Sequence, residues 1–249
     1  IDDNDDESGT SNHFFLDSKL FNSFGSLDMY IQSSNNDTYM RKNKINKLTV
    51  LNSGLKFNRQ TENTYLSINS NAYKHLTIQN GEQWEYVYPK IVYNIDNINN
   101  LYGGNVSLNN EAMNKKDLND NSSSILSSQL NWRKKIIHNK SGLIFDNESN
   151  LRVVSINIDN KNHSDEENIR FFPQWSSKVN YPLIKFSEKT SYTISPIIMP
   201  IIAPYNNYTE QQTISNSNLF SNNRASSISE WESGPRINYG LEFFMNQKA

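Results

Sequence analysis

The chain has 249 residues, of which 35% are hydrophobic, and its formal net charge at pH 7 is -2. The hydrophobic share is below the roughly 45–50% of soluble domains, but 13 Tyr, 12 Phe and 4 Trp argue against disorder of the whole chain. Scattered charges of both signs do not indicate a nucleic-acid binder, the absence of cysteine excludes disulfides and thiolate metal sites, and no apolar run reaches the ~18 residues of a membrane-spanning helix.

Alternation of apolar and polar residues, the pattern of a β-strand, recurs along the whole chain, and no segment has convincing helical periodicity. The pattern predicts about eleven strands, in chain order 13–21, 26–33, 48–59, 66–76, 87–95, 103–112, 126–132, 143–157, 169–181, 190–205 and 237–243. The sequence therefore predicts an all-β protein.

The segment 169–181 has the clearest alternation. One row of side chains is mostly apolar, namely Ile169, Phe171, Pro173, Trp175, Ser177, Val179 and Tyr181. The interleaved row is mostly polar, namely Arg170, Phe172, Gln174, Ser176, Lys178 and Asn180. In a soluble β-sandwich the apolar row would pack on a second sheet. In an outer-membrane barrel it would face lipid, and the polar row would line the lumen.

The predicted connections alternate in length, which favours the barrel. The short set is 22–23, 60–63, 97–102, 133–142 and 182–189, and the longer set is 34–47, 79–83, 114–122, 159–168 and 206–233. Short turns on one side and longer loops on the other are typical of an outer-membrane meander, whose polar lumen also explains the low hydrophobic content. We expect an antiparallel meander that forms part of a large transmembrane β-barrel, with 1–249 as a fragment of one barrel domain whose remaining strands are absent.

The last long loop and the strand after it carry a specific resemblance. Residues 217–243, SNLFSNNRASSISEWESGPRINYGLEF, are similar to the signature stretch of the LPS-assembly outer-membrane protein family LptD (OstA, organic solvent tolerance protein), in its alphaproteobacterial form. The matching residues that we take as candidates for the structure of a plug-like loop are Asn218, Leu219, Phe220, Arg224, Trp231, Glu232, Gly234, Arg236, Asn238, Tyr239 and Gly240. Ser229 and Glu230 replace an Asp-Arg pair of the family, so an ion pair at that position is not carried over.

A second stretch, SNNDTYMRK at 34–42, also resembles the family. It places Asp37, Thr38, Tyr39 and Arg41 in a long loop. The resemblance implies a protein of the Gram-negative outer membrane that inserts lipopolysaccharide into the outer leaflet without chemical catalysis or cofactor. It also implies contact with outer-membrane lipid, an LptE-like lipoprotein inside the barrel and an LptA-like periplasmic bridge to the parent protein. A periplasmic N-terminal domain and the terminal strands of the barrel are expected to lie outside 1–249.

The residues themselves do not indicate an enzyme. His13, His75, His138 and His163 are far apart and have no Cys, Asp or Glu at ligand spacing, so no metal or cofactor site is expected. The alternatives in other classes are a surface β-rich adhesin or binding protein, and a generic outer-membrane porin.

The segment 190–205 contains three prolines at four-residue spacing. Pro196, Pro200 and Pro204 share one face of the predicted strand. Because proline donates no ladder hydrogen bond, they indicate either a kinked strand or a weakened seam.

Overall fold

The structure is a computed structural model, which describes residues 12–36, 38, 42–45, 47–78, 82–98, 100–159, 166–205, 213–225 and 229–247. Within these ranges, no helix has the length and apolar character to cross a membrane. The strands are β1 (His13–Asn22), β2 (Gly25–Ser34), β3 (Val50–Gln60), β4 (Thr64–His75), β5 (Trp84–Ile95), β6 (Asn100–Leu101), β7 (Gly104–Lys116), β8 (Ser122–His138), β9 (Leu143–Asp159), β10 (Glu166–Asn180), β11 (Leu183–Phe186), β12 (Thr190–Ile202) and β13 (Arg236–Gln247).

Every predicted strand is present, and the short strands β6 and β11 were not predicted. The order of hydrogen-bonded neighbours is β1-β2-β3-β4-β5-β7-β8-β9-β10-β12-β11, with β13 also paired to β12 and β6 to β7. The all-β antiparallel meander is therefore confirmed. The strands are shared between two compact units, which consist of the described residues within 1–93, 111–124 and 157–167 (unit 1) and within 94–110, 125–156 and 168–249 (unit 2).

The connection between β7 and β8 is shorter than predicted. It spans only 117–121, because Asp117 Oδ1 accepts hydrogen bonds from the backbone N–H groups of Asn119 at 2.8 Å and Asn121 at 3.0 Å and closes a tight turn. The prediction of a long loop at 114–122 is wrong. A polar sequence can continue a strand when the neighbouring strands provide backbone hydrogen-bond partners.

In unit 1, the register of β2, β3 and β4 sorts apolar and polar side chains onto different faces. Phe57 lies opposite Leu27 on one side and opposite Ile68 on the other. The adjacent polar row contains Asn58, whose Oδ1 accepts a hydrogen bond from Ser67 Oγ at 2.9 Å. Because neighbours along a strand point to opposite faces, one side of this unit is apolar and the other is polar.

The polar side of unit 1 pairs its charges across strands. Glu85 of β5 is 3.5 Å from His75 Nε2 and 2.7 Å from Lys115 Nζ. Lys90 Nζ is 2.7 Å from Glu111. These pairs connect β4 and β7 to β5 by side chains in addition to the backbone ladder.

Unit 2 has the two-faced pattern predicted for 169–181. In the apolar row of β10, Ile169 is 72% exposed and Phe171 is 60% exposed, whereas Phe172 and Gln174 of the interleaved row are 2% and 4% exposed. The apolar row is therefore the uncovered one. We call the opposite side the loop-covered face, because the loop between β12 and β13 packs on it.

The pairing of β12 is interrupted beside a proline only where it meets β10. Pro196 and Pro200 lie within an unbroken pairing of β12 with β13. In the pairing with β10, Val179 lies opposite Ile198 and Ser176 lies opposite Ile201. The two residues between them, Ser177 and Lys178, are not paired, and Ser177 is the one opposite Pro200. Pro204 follows the end of the strand.

Candidate functional site

The first part of the β12–β13 loop is folded around Asn218. Its side-chain Oδ1 accepts the N–H of Ser215 at 2.8 Å, and its Nδ2 donates to the carbonyl of Thr213 at 2.9 Å. Its backbone carbonyl also accepts the N–H of Ser221 at 3.0 Å. One asparagine thus satisfies donors and acceptors on both sides of the turn, as turn asparagines commonly do.

Leu219 and Phe220 pack on β13 at the position of a glycine. A Cβ atom placed on Gly240 would lie 3.0 Å from Phe220 Cζ and 3.5 Å from Leu219 Cδ2. Lys178 Nζ lies 5.2 Å from the centre of the Phe220 ring, at cation–π distance. The missing side chain of Gly240 therefore makes room for the two apolar residues of the loop.

The centre of the loop is a cluster of three charges around Glu232. Arg224 Nε donates to Glu232 Oε2 at 2.8 Å, and its Nη2 also contacts Glu232 Oε1. Arg236 Nη2 of β13 is 3.1 Å from Glu232 Oε2. The hydrogen bond to Glu232 raises the pKa of the Arg224 guanidinium, and burial opposes this rise. The carboxylate joins the loop to the adjacent strand by charge-assisted hydrogen bonds.

Neighbouring amides hold this cluster in place. Asn223 Oδ1 accepts the backbone N–H of Glu232 at 2.9 Å. The carbonyl of Asn222 accepts Gln174 Nε2 of β10 at 2.9 Å and also contacts Arg236 Nη2. The loop is therefore hydrogen-bonded to both β10 and β13.

Trp231 is the apolar anchor of the loop. It is 3% exposed and stacks on Phe172 of β10 with ring centres 6.4 Å apart. The guanidinium carbon of Arg152 in β9 lies 5.3 Å from the indole centre, and Arg152 Nε donates to Ser127 Oγ of β8 at 2.9 Å. Arg170 Nη1 donates to the carbonyl of Ser229 at 3.0 Å. The indole packs against both an aromatic ring and a cation of the adjacent strands.

The loop returns to β13 through a second glycine. Gly234 has φ +81°, and a Cβ atom there would lie 2.8 Å from Tyr205 Cε1. Its N–H donates to the carbonyl of Pro204 at 3.1 Å. A left-handed backbone and a close aromatic neighbour both favour glycine here.

Asn218 is hydrogen-bonded within the loop, and Gly234 contacts Pro204 and Tyr205 just after β12. Eight other predicted residues lie on the loop-covered face or contact side chains there, namely Leu219, Phe220, Arg224, Trp231, Glu232, Arg236, Asn238 and Gly240. Asn238 is buried there in the same row as Arg236, whereas Tyr239 points to the opposite face and is 77% exposed. Tyr239 is therefore not part of the loop contact.

The second motif is described only at Thr38. Its N–H and hydroxyl donate to Asn36 Oδ1 at 3.0 and 3.1 Å, which forms a local turn in unit 1. Asp37, Tyr39 and Arg41 lie outside the described residues.

No group of three or more His, Asp or Glu side chains capable of holding a metal ion occurs in the described part of the chain. His75 contacts Glu85 at 3.5 Å, and His138 Nδ1 lies 2.8 Å from Ser141 Oγ. His163 falls outside the described ranges.

Residues 11–245 match the family model "LptD: LPS transport system D". The chain belongs to the LptD family. Its role is lipopolysaccharide transport and assembly at the Gram-negative outer membrane, and it is a transport protein, not an enzyme. The comparison with curated proteins gives no match. Family membership selects the lipopolysaccharide interpretation over the adhesin and the porin.

The sequence reasoning missed the strand residues that receive the loop. They are Ser127, Arg152, Arg170, Phe172, Gln174 and Lys178, with Asn222 and Asn223 inside the loop itself. One signal was present: Phe172 is an aromatic residue in an otherwise polar row. An apolar side chain on the polar side of a barrel strand indicates a contact with something that covers it.

Replacing Glu232 by Gln tests the charge cluster. The change removes the charge that two arginines share, and we expect docking of the loop to weaken by about 1.5–3 kcal/mol, the size of a hydrogen bond to a charged group. Limited proteolysis of the folded protein should then cut the loop faster. Glu230→Gln, two residues away, is the matched control, and equal cleavage of the two variants would contradict the role of Glu232.

Proposed function

We propose that the β12–β13 loop is a structured plug on the lumenal side of an LptD barrel. The single observation that carries this is the docking of Trp231 against Phe172 and Arg152, on the face whose opposite side is exposed and apolar. In an outer-membrane barrel the apolar side faces lipid and the other side faces the lumen. The loop therefore covers lumenal wall and narrows the path through the barrel.

The same orientation gives lipopolysaccharide two kinds of surface. The polar side of the sheet accommodates sugars and phosphates, because it presents amides, hydroxyls and paired charges. The exposed apolar side matches the hydrocarbon of the outer leaflet. Transport along such a wall requires that lipopolysaccharide is positioned and that other solutes are excluded. It requires no chemical step.

We also propose, from the family resemblance, that an LptE-like lipoprotein lies inside the barrel and that an LptA-like bridge meets the parent protein. Photo-crosslinking tests the first contact. A crosslinker at Asn58, in the polar row of β3, should capture the lipoprotein, and one at Phe57, in its apolar row, should not. Equal capture at both positions would contradict a lumenal lipoprotein.

The chain is further proposed to be of the alphaproteobacterial type and to form part of one barrel domain. The signature stretch supports the first point. The second is supported by the pairing: within the described ranges, β1 pairs with β2 alone and β13 with β12 alone. Sequencing the flanking coding region tests both proposals. We expect it to encode further segments in which apolar and polar residues alternate. Flanking sequence without such segments would contradict the barrel-domain proposal.

The plug is tested by changing Arg224 and Trp231 together to Ala at the chromosomal locus. Loss of the charge pair and of the indole anchor should free the loop while the strands keep their ladders. We expect normal amounts of heat-modifiable barrel in the outer membrane but increased entry of large antibiotics. An unchanged antibiotic barrier, with a loop shown by proteolysis to be released, would contradict the plug.

The orientation of β10 is tested by Phe171→Arg. An arginine on the lipid-facing row near the bilayer midplane costs about 2–4 kcal/mol. Asn180→Arg is the control, because Asn180 is on the polar row of the same strand and lines a cavity with Asp146. Refolding into lipid vesicles measures both variants. Equal loss of stability would show that the two faces are alike.

A further inference from the structure

A polar cavity of about 510 Å³ lies in unit 2, outside the loop contact. It is formed by the chain around the β5–β7 connection together with β8 and β9. Its lining includes Asp96, Ser107, Gln129, Asn131, Arg133 and Glu148. A volume of this size is within the range of sites that bind small ligands, roughly 300–1,000 Å³. None of these residues belongs to the signature loop.

The cavity is on the loop-covered face. Gln129, Asn131 and Arg133 are in the same alternating row of β8 as Ser127, which accepts a hydrogen bond from Arg152. The guanidinium of Arg152 in turn contacts Trp231 of the loop. The cavity therefore opens on the side that we propose to be lumenal, toward the ends of the strands that are joined by short turns.

Its wall is a connected set of amide and hydroxyl groups. Gln129 Nε2 donates to Asn131 Oδ1 at 2.6 Å, and Asn131 Nδ2 donates to Ser107 Oγ at 3.3 Å. Each amide keeps further donor and acceptor capacity beyond these bonds. Groups of this kind match the hydroxyls of a sugar, which both donate and accept.

The charge of the cavity excludes phosphate. Arg133 is the cation in the lining named above, and its guanidinium is occupied by Asp146, with Nε to Oδ1 at 2.8 Å and a second contact from Nη2 to Oδ2. Glu148 interacts with the same guanidinium electrostatically, and Asp96 is in no ion pair among the described residues. Three carboxylates, those of Asp96, Asp146 and Glu148, therefore face one guanidinium, and the negative excess repels anions, whereas carboxylates accept hydrogen bonds from neutral hydroxyls.

We propose that this cavity binds neutral, phosphate-free sugar units of the transported lipopolysaccharide. The inference rests on the proposed lumenal position of this face. Ser107, Gln129 and Asn131 hold the sugar hydroxyls by direct hydrogen bonds, and the carboxylates direct phosphorylated parts of the same molecule elsewhere. The cavity thus distinguishes the carbohydrate of the cargo from its charged groups.

The experiment measures binding of core oligosaccharide to the purified, folded full chain by isothermal titration. The first probe is core oligosaccharide from which phosphate has been removed. Gln129→Met together with Asn131→Leu keeps the side-chain size and removes the hydrogen bonds, and we expect affinity to fall about tenfold or more. Gln60→Met, at the exposed end of β3, is the matched control and should bind as the unchanged protein does.

The second probe is the same oligosaccharide with its phosphates intact. It should bind more weakly than the neutral form, and Asp96→Asn with Glu148→Gln should reduce the difference. If either of the two double variants does not fold, as judged by heat-modifiability, its two single replacements are measured in its place. Unchanged affinity after loss of the amides, absence of binding to the unchanged protein, or tighter binding of the phosphorylated form would each overturn the proposal.

These outcomes are separate from those for the plug. Antibiotic entry depends on Arg224 and Trp231, which do not line the cavity. A failed sugar titration with a confirmed plug would overturn only the cavity proposal. A confirmed titration with an unaltered antibiotic barrier would overturn only the plug.

Discussion

Each strand of unit 2 contacts two different environments, because its successive side chains point to opposite faces of one sheet. In β10 this constraint separates Ile169 and Phe171, which are exposed, from Phe172 and Gln174, which are buried. The signature loop can dock only where a row supplies both an aromatic surface and hydrogen-bonding groups. The loop contact and the polar cavity both depend on the faces staying distinct, since a register slip of one residue would exchange them.

Docking of the loop involves opposing contributions. Trp231 and Phe220 remove apolar area from water, and Glu232 is shared by two arginines. Against these, Gln174 Oε1, Ser176 Oγ, Asn222 Oδ1 and Arg224 Nη1 are buried without a hydrogen-bond partner among the described atoms. A buried polar atom left unpaired costs about 1–3 kcal/mol. The loop is therefore held by a few strong anchors over a surface that also favours hydration, which is consistent with the plug that we propose.

The sequence predicted the strands well because alternation is a local property. Ile169 to Tyr181 shows its two rows without knowledge of any other segment. The resemblance of 217–243 offered Arg224 and Trp231 as candidate loop anchors, and their role as anchors of a plug stays a prediction. The partners of those anchors could not be predicted, because Arg152 and Phe172 are distant in sequence and their roles appear only when β9, β10 and the loop meet. The extent of β8 was missed for a similar reason: Arg133 and Lys134 are polar, and the strand there is stabilised by Asp146 and by the carbonyl of Tyr102.

Thiol labelling of Gln174→Cys tests most directly whether the loop covers the polar row of β10. The chain contains no cysteine, so the introduced thiol is the only one to react. With the loop intact, a water-soluble maleimide should react slowly with this thiol. When Arg224 and Trp231 are also replaced by Ala, the labelling rate should rise at least about tenfold, because opening of the loop no longer requires breaking those contacts. Fast labelling of Gln174→Cys with the loop intact would contradict the docked loop.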